Sequence, residues 1–184
     1  MRESAATLEQ VLADSDCLHD EAAVRAAVRR LAAAINRDYH GRRPVVLVVM
    51  NGGLVPAGWL LPEFRFLCEV DYLHATRYRG RTIGEELHWL AEPRKPLRDR
   101  DVLLIDDILD EGITLREIVR WCRQQGPRSV RSVVLAKKLL GRDAAIEADY
   151  VGLEVENRYV FGCGMDYHEY FRNLAAIHAV KNDN

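Results

Sequence analysis

Two uninterrupted apolar runs constrain this chain more than any other feature of its sequence. Residues 45–49 are VVLVV and residues 102–105 are VLLI, and polar or helix-breaking residues bound both runs. Runs of this length without polar alternation are typical of strands that are buried on both faces of a sheet. Such strands need helices on both sides, so the runs predict a mainly parallel sheet inside an α/β domain.

The patterns between and after these runs alternate helix with strand. Apolar residues at positions 24, 28, 31 and 35 fall on one helical face, and Asp16 or Asp20 is placed to cap that helix. A second helix is predicted over 54–61, and a third is predicted after residue 112. Further strands are predicted at 66–72, 130–136, 150–155 and 159–161. We therefore expect an α/β fold with a central, mostly parallel sheet of about five strands flanked by helices.

Size and composition narrow the class of protein. The chain has 184 residues and a mass of 21.0 kDa, so we expect one domain over residues 1–184. Its 26 basic and 28 acidic side chains give a formal net charge of −2, which argues against binding of nucleic acid or anionic membranes through bulk charge. No apolar window is long enough for a membrane span and the N-terminus is not signal-like, so we expect a cytoplasmic protein. Four scattered cysteines without a CxxC motif favour neither a zinc site nor a disulfide framework.

A polar stretch from Ala75 to Pro96 stands apart from the alternating pattern. It contains two glycines, two prolines and several arginines, and its middle shows neither helical nor strand periodicity. Long loops without structure of their own are usually functional or mobile. The arginines within 77–81 also fit a solvated face or an RNA-contacting patch, so their role stays open at this stage.

The most informative segment for chemistry comprises residues 102–115, with the sequence VLLIDDILDEGITL. A predicted buried strand leads into three acids, Asp106, Asp107 and Asp110. The acids are followed by Gly112, Thr114 and a predicted helix. Gly112 permits backbone conformations that a side chain would forbid. With the following amides and the Thr114 hydroxyl, it predicts an anion site at a helix N-terminus, and phosphate is the anion that this arrangement favours.

Three carboxylates beside a phosphate site would repel the phosphate unless other groups offset their charge. Sugar hydroxyls donate hydrogen bonds to carboxylates, and magnesium bridges carboxylate and phosphate oxygens, so a sugar phosphate with free hydroxyls and a metal fits all of these parts. The competing interpretation is that the acids only cap the next helix, although a cap needs one acid. The chain has no GxxxxGK[ST] motif, and the glycines at 162 and 164 lack the third glycine of a dinucleotide fingerprint.

Four segments together resemble the type I phosphoribosyltransferase family, and within it the hypoxanthine-guanine branch. Residues 102–115 are similar to the motif that binds 5-phosphoribosyl-1-pyrophosphate (PRPP), and residues 49–53 (VMNGG) resemble the pyrophosphate loop. Residues 135–138 (LAKK) are similar to the strand end whose lysine recognises the purine 6-oxygen. Residues 159–174 (YVFGCGMDYHEYFRNL) resemble the C-terminal signature of the branch. The matches run in order from about residue 45 to the C-terminus.

The resemblance implies a type I phosphoribosyltransferase fold, with a small hood from the N- and C-terminal segments and a mobile lid over about residues 75–90. It implies a magnesium-dependent purine-salvage enzyme that transfers the 5-phosphoribosyl group of PRPP to hypoxanthine or guanine. The products would be IMP or GMP and pyrophosphate. We also expect a homodimer or homotetramer whose ligands are PRPP and a purine base, with no nucleic-acid or membrane partner.

The resemblance also assigns residues to the reaction. Asp106 and Asp107 would hold the ribose hydroxyls directly or through magnesium, and Asp110 would be the catalytic group that moves the proton at purine N7. The remaining contacts to PRPP and its phosphates would come from Glu111, Gly112, Ile113, Thr114, Asn51, Gly52 and Arg172. The purine would be contacted by Lys137, Tyr159, Val160 and Asp166. Asp166 would also hold a second magnesium ion, and Arg77 and Tyr78 would lie on the lid.

Two positions depart from the family pattern. Glu111 stands where many members carry threonine, so we expect its carboxylate to point away from the phosphate and to leave binding to Thr114 and the amides. Asn51 stands where some members carry lysine, which gives more weight to Arg172 or to the lid arginines in binding pyrophosphate.

Other interpretations of these residues stay open from the sequence. Tyr159 could also be an ordinary aromatic residue of the core, and Lys137 could be a surface charge that follows a strand. Cys163 could be a small buried residue. The alternative functions are a xanthine-preferring phosphoribosyltransferase and a PRPP-sensing regulator without catalysis. The near-neutral charge argues against the regulator, as does the presence of Asp110, Lys137 and Asp166 together.

Overall fold

A computed structural model of the chain describes residues 5–77 and 87–181. Its helices are α1 (Ala5–Asp14), α2 (Glu21–Asp38), α3 (Leu54–Leu60), which continues into a 3-10 turn at Leu61–Glu63, and α4 (Ile113–Gln124). Its strands are β1 (Asp16–His19), β2 (Val45–Val49), β3 (Glu69–Arg77), β4 (Leu87–Ala91), β5 (Asp101–Leu109), β6 (Ser129–Leu139), β7 (Tyr150–Glu156), β8 (Val160–Phe161) and β9 (Ile177–Ala179).

The central sheet has six strands in the order β4-β3-β2-β5-β6-β7. All neighbouring pairs from β3 to β7 are parallel, and only β4 is antiparallel, at the edge. The two apolar runs form β2 and the first part of β5, and both are buried along their length. The prediction of a mostly parallel sheet inside an α/β fold is therefore confirmed, and the sheet has one strand more than predicted.

The additional strand comes from the stretch that the sequence predicts to be a long loop. Residues 75–77 continue β3, and β4 returns antiparallel to it with His74 opposite Ala91 and Thr76 opposite His88. An edge hairpin buries only one of its faces, so its alternating polar residues resemble a loop in the sequence. The prediction of a structureless segment over 75–90 is thus wrong at both ends. Its central residues, with Tyr78, lie outside the described residues.

Helices cover both faces of the central sheet. Asp20 caps α2, since its carboxylate accepts a hydrogen bond of 2.8 Å from the Ala23 amide, whereas Asp16 lies in β1. Helices α2 and α3 pack on one face of the sheet, and α4 packs on the other. No helix in the described part of the chain combines the length and the apolar character that crossing a membrane requires.

A second, antiparallel sheet joins the two terminal segments in the order β1-β9-β8. Arg158 holds this sheet together, because its guanidinium donates to the Asp16 carboxylate at 2.5 Å and to the Val180 carbonyl at 2.8 Å. Cys163 follows β8 and is fully buried, as the sequence predicts. The small sheet packs against the core beneath α2 and brings residues 159–172 to the edge where the parallel strands end.

Candidate active site

Two adjoining cavities lie beyond the carboxyl ends of the parallel strands, where α/β sheets bind their ligands. The larger cavity has a volume of about 580 Å³. The residues that the sequence predicts to contact PRPP all line it, and so does Asp110, the predicted catalytic residue; the PRPP residues are Asn51, Gly52, Asp106, Asp107, Glu111, Gly112, Ile113, Thr114 and Arg172. The smaller cavity, of about 240 Å³, includes Tyr159, Val160 and Asp166. The two cavities share Asp107, Ile108 and Asp110, so a ligand that spans both must pass these residues.

Asp106 and Asp107, the acidic pair, end the buried part of β5. The Asp107 amide donates to the Asp106 carboxylate at 2.9 Å, and the Ile108 amide donates to the Asp107 carboxylate at 2.7 Å. Burial raises the pKa of Asp106 well above its ordinary value, and the neighbouring Asp107 charge raises it further. Burial also raises the pKa of Asp107, although hydrogen bonds from Asp106 and Ile108 and the charge of Arg172 oppose that rise. The pair is therefore a partly buried group that a cation or hydroxyl donors would stabilise in its charged form.

Glycine is required where the loop after β2 meets this pair. A Cβ on residue 52 would overlap the Asp107 carboxylate, so no larger residue fits there without displacing the acid. Gly164 approaches from the side of the small sheet with a φ of +107°, and a Cβ on this residue would overlap the Gly52 carbonyl oxygen. The peptide bond between Met50 and Asn51 is cis. These contacts place the backbone of the loop directly against the cavity.

Residues 111–114, the phosphate loop, connect β5 to α4. Gly112 has a φ of +77°, which favours glycine, and α4 begins at Ile113 without a side-chain cap. The amides at the start of a helix without a cap are free to bind an anion, and the helix dipole favours negative charge there. The loop can therefore hold a phosphate group with its backbone, with the Thr114 side chain beside it.

Arg172 and Asp166 are paired with each other in this state. The Arg172 guanidinium donates to the Gly164 carbonyl at 2.8 Å, lies 2.7 Å from one Asp166 oxygen and 3.4 Å from Glu169. The second Asp166 oxygen accepts from the Glu169 amide at 2.9 Å. Arg172 thus lines the larger cavity while it is paired with Asp166, which lines the smaller one.

The two adjacent lysines at the end of β6 face different surroundings. Lys138 lines the smaller cavity, and its ammonium lies 2.6 Å from the Asp110 carboxylate. Lys137 instead pairs at 2.6 Å with Glu147 and does not line either cavity. Successive strand residues point to opposite faces, and β6 continues past both lysines to Leu139. We therefore correct the sequence interpretation, which assigns purine recognition to Lys137: the lysine at the cavity is Lys138.

Tyr159 is not a core aromatic. Half of its surface (51%) is exposed, and its ring meets the edge of Tyr167 at a centroid distance of 5.5 Å. Val160, beside it, is buried and pairs with Ala179 of β9. An exposed ring that borders a cavity and is braced from one side can stack on a planar ligand.

Three residues outside the four recognised segments also line the larger cavity, namely His74, Thr76 and Leu90. His74 and Thr76 alternate with the buried Leu73 and Ala75 along β3, and this alternation is the signal that could have identified them. Arg77 ends β3, and Tyr78 lies outside the described residues. Within residues 5–77 and 87–181, no group of three or more histidine, cysteine or acidic side chains converges as metal ligands.

The fold and the site together define an α/β protein whose ligand cavity combines a loop suited to an anion with a partly buried acidic pair. Residues 14–168 match the family described as phosphoribosyl transferase domain. The chain belongs to this family.

Its relatives include proteins of similar length and a much longer one. The chain is 32% identical to the hypoxanthine-guanine phosphoribosyltransferase of Bacillus subtilis over 89% of this chain and 92% of that protein. It is 34% identical to the bifunctional protein TilS/HprT of Listeria innocua over 95% of this chain, and it spans only 26% of that longer protein. The crystal structure of a hypoxanthine phosphoribosyltransferase from Staphylococcus aureus superposes with a TM-score of 0.86 at 28% identity, covering 97% of each chain.

Proposed function

We propose that this protein transfers the 5-phosphoribosyl group of PRPP to hypoxanthine or guanine, giving IMP or GMP and pyrophosphate. The main support for this proposal is that the two cavities meet at Asp107 and Asp110, which line both of them. One cavity offers an anion loop and acids for a sugar phosphate, and the other offers an aromatic ring and a lysine for a base. The ribose C1 atom, at which the base replaces pyrophosphate, would lie at their junction.

The larger cavity would hold PRPP by its three polar parts. The amides of the phosphate loop and Thr114 would bind the 5-phosphate, and the acidic pair would accept hydrogen bonds from the ribose hydroxyls. Pyrophosphate would lie against the backbone at 51–52 and the Arg172 guanidinium, which must turn from Asp166 to meet it. Neutralising the leaving pyrophosphate matters because the displacement passes through an oxocarbenium-like state with positive charge at C1.

The smaller cavity would hold the purine. Tyr159 would stack on the ring, Lys138 would donate to the 6-oxygen, and the Val160 carbonyl would meet the opposite edge. Asp110 would accept the proton from N7 while the bond from N9 to C1 forms and the bond from C1 to pyrophosphate breaks. The Lys138 ammonium lies 2.6 Å from the Asp110 carboxylate, so the group that accepts the N7 proton and the group that donates to the 6-oxygen would be neighbours.

The carboxylates of this site fit magnesium. Magnesium is usually bound through one or two carboxylates together with substrate phosphates, and this preference agrees with separate carboxylates at 106–107 and 166. Asp106 or Asp107 would share one ion with the ribose hydroxyls, and Asp166 would hold a second. A bound ion would neutralise charge on the pyrophosphate as it leaves.

We also propose the remaining parts of the expected architecture. The segment between β3 and β4 would be the lid that closes over the reacting centre and excludes water. The position of its flanking strands supports this proposal, because His74, Thr76 and Leu90 line the larger cavity. The sheet β1-β9-β8 would act as the hood of a single domain. We expect a cytoplasmic homodimer or homotetramer without nucleic-acid or membrane partners, and light scattering at micromolar concentration measures the oligomer directly.

Nucleotide formation from PRPP, magnesium and a panel of four bases tests the proposal. Guanine and hypoxanthine should react, since Lys138 donates only to an acceptor at position 6. Xanthine should react well behind them, because its 2-oxo group faces backbone acceptors near Val160 and Asp166. Adenine should give no product, since donor facing donor can cost up to about 10⁴-fold in kcat/KM. If xanthine leads, the protein is the xanthine-preferring alternative, and if PRPP binds but no base reacts, it is the regulator.

A further inference from the structure

Glu111 places a carboxylate where the reaction needs to bind an anion. It lies in the phosphate loop and lines the larger cavity. A carboxylate and a phosphate repel each other, and the repulsion grows as the ligand excludes water from the loop. The chain must therefore neutralise Glu111 or hold its side chain aside.

Arg142 does both in this structure. Its guanidinium donates to the Glu111 carboxylate at 2.9 Å, with Arg142 on the segment that follows β6. Arg142 does not line the larger cavity. Because it reaches the carboxylate from outside, its charge can cancel that of Glu111 without contacting the ligand.

The backbone keeps this segment against the phosphate loop. The Ala145 amide donates to the Glu111 carbonyl at 2.8 Å. A Cβ on Gly112 would lie 3.1 Å from the Ile146 nitrogen, so the two backbones are in close contact. A second ion pair, Lys137 with Glu147 at 2.6 Å, fastens the segment to β6 without involving the phosphate loop.

We propose that Arg142 is a positioning residue for the 5-phosphate of the substrate and acts through Glu111. It draws the carboxylate toward the 141–147 segment and cancels its charge, so that the loop amides meet the phosphate without an opposing charge. This inference rests on the proposed function, because it takes the ligand of the loop to be a 5-phosphate. Both side chains of the pair are substantially exposed (68% and 42%), so the pair contributes little to folding and its effect is on binding.

Arg142→Gln tests the proposal in the full-length protein by calorimetry and steady-state kinetics. The Kd for GMP and the KM for PRPP should each rise about tenfold, because the Glu111 carboxylate then loses the positive charge of Arg142 beside the phosphate. The inhibition constant for pyrophosphate, which carries no 5-phosphate, should not change. Arg142→Lys should retain most of the affinity for GMP, since it keeps the charge.

The double variant distinguishes neutralisation from direct contact. Glu111→Gln should bind GMP as well as the wild type or more tightly, and Glu111→Gln with Arg142→Gln should regain affinity close to that of the wild type. Glu147→Gln is the matched control, because it breaks the other ion pair of the segment and should leave the Kd for GMP unchanged.

Three results would overturn the proposal: an Arg142→Gln variant that binds GMP like the wild type, a double variant as weak as Arg142→Gln, or a Glu147→Gln variant as weak as Arg142→Gln. The second would show that Arg142 contacts the phosphate itself, and the third that the segment is merely loosened. Failure of the wild type to form nucleotide with any base would instead overturn the proposed function, and GMP calorimetry would still decide the role of Arg142.

Discussion

The ammonium of Lys138 lies 2.6 Å from the carboxylate of Asp110 at the boundary between the two cavities. Lys138 is largely buried, with 12% of its side chain exposed, whereas Asp110 is half exposed. In the proposed reaction, the pair would place a donor for the purine 6-oxygen beside an acceptor for the N7 proton. Two neighbouring atoms of one purine edge would thus meet two groups that already hold each other in place.

Removing the Lys138 charge should weaken base recognition selectively. We expect Lys138→Met to lower kcat/KM for hypoxanthine by about 10- to 100-fold, the usual effect of losing a charged hydrogen-bond donor. The KM for PRPP should change little. Lys137→Met is the matched variant next to it in sequence, and its kcat/KM should stay within about twofold of the wild type because that lysine pairs with Glu147. Equal losses in both variants would contradict our assignment of Lys138.

Asp110→Asn should separate catalysis from binding. The amide has the shape of the carboxylate but cannot take the N7 proton, so kcat should fall by about 10²-fold or more. PRPP affinity should barely change. Steady-state kinetics with both substrates varied measures the two effects, and a kcat near that of the wild type would remove Asp110 from the catalytic role.

The acidic pair should make the free protein less stable as the pH rises. A carboxyl with a raised pKa in the folded state favours folding below its ordinary pKa, and this contribution is lost as the pH rises through the raised value. Asp106→Asn removes the buried charge, so its Tm should exceed that of the wild type at about pH 7, by about 2–4 °C for each kcal/mol gained. Nucleotide formation should be lost.

The difference in Tm should shrink towards about pH 4, where the wild-type carboxyls are protonated as well. Thermal unfolding at several pH values measures this dependence. The exposed Asp143 provides the control, because Asp143→Asn should shift the Tm by less than about 1 °C at every pH. A lower Tm for Asp106→Asn than for the wild type would show that the acid stabilises the free protein.

Gly52→Ala should disrupt the larger cavity, because the new Cβ would overlap the Asp107 carboxylate. We expect kcat/KM for PRPP to fall by at least about 10²-fold as the acid is displaced from its binding geometry. Gly58→Ala is the matched control, because its Cβ would meet nothing within 4 Å in α3. That variant should gain about 0.5–1 kcal/mol of stability, as alanine does over glycine in a helix, and keep its kinetics. A fully active Gly52→Ala variant would contradict the contact.

The sequence predicts the interior of this protein better than its edges. The runs that form β2 and the first part of β5 favour a parallel sheet, because its strands are usually buried on both faces. The edge hairpin of β3 and β4 was missed, since one exposed face gives it a polar sequence. For the acidic and phosphate loops, the order of residue types along one segment was sufficient to place them in one cavity.

The prediction of Lys137 instead of Lys138 as the purine-binding lysine shows why other parts of the site could not be predicted from the sequence. The sequence analysis ends the strand at residue 136, whereas β6 pairs with β7 as far as Leu139 opposite Glu156. Side chains alternate between the two faces of a strand for as long as the strand continues. Because β6 includes both lysines, they point to opposite faces, and only one of them meets the cavity. The pair of Arg172 with Asp166 was equally beyond prediction, because it depends on the fold of the 162–172 turn rather than on any spacing.

Because β1 pairs with β9, the two cavities should form at different times while the chain is being synthesised. Residues 45–115 would supply every proposed PRPP contact except Arg172. They leave the ribosome well before β8 and β9, and their strands are neighbours in one sheet. The residues at 159–166 are fixed only when the last strand pairs with β1 and Arg158 reaches Asp16. A nascent chain would therefore acquire its sugar-phosphate half first and its base half last, so shortening the C-terminal segment should abolish base recognition while phosphate binding persists.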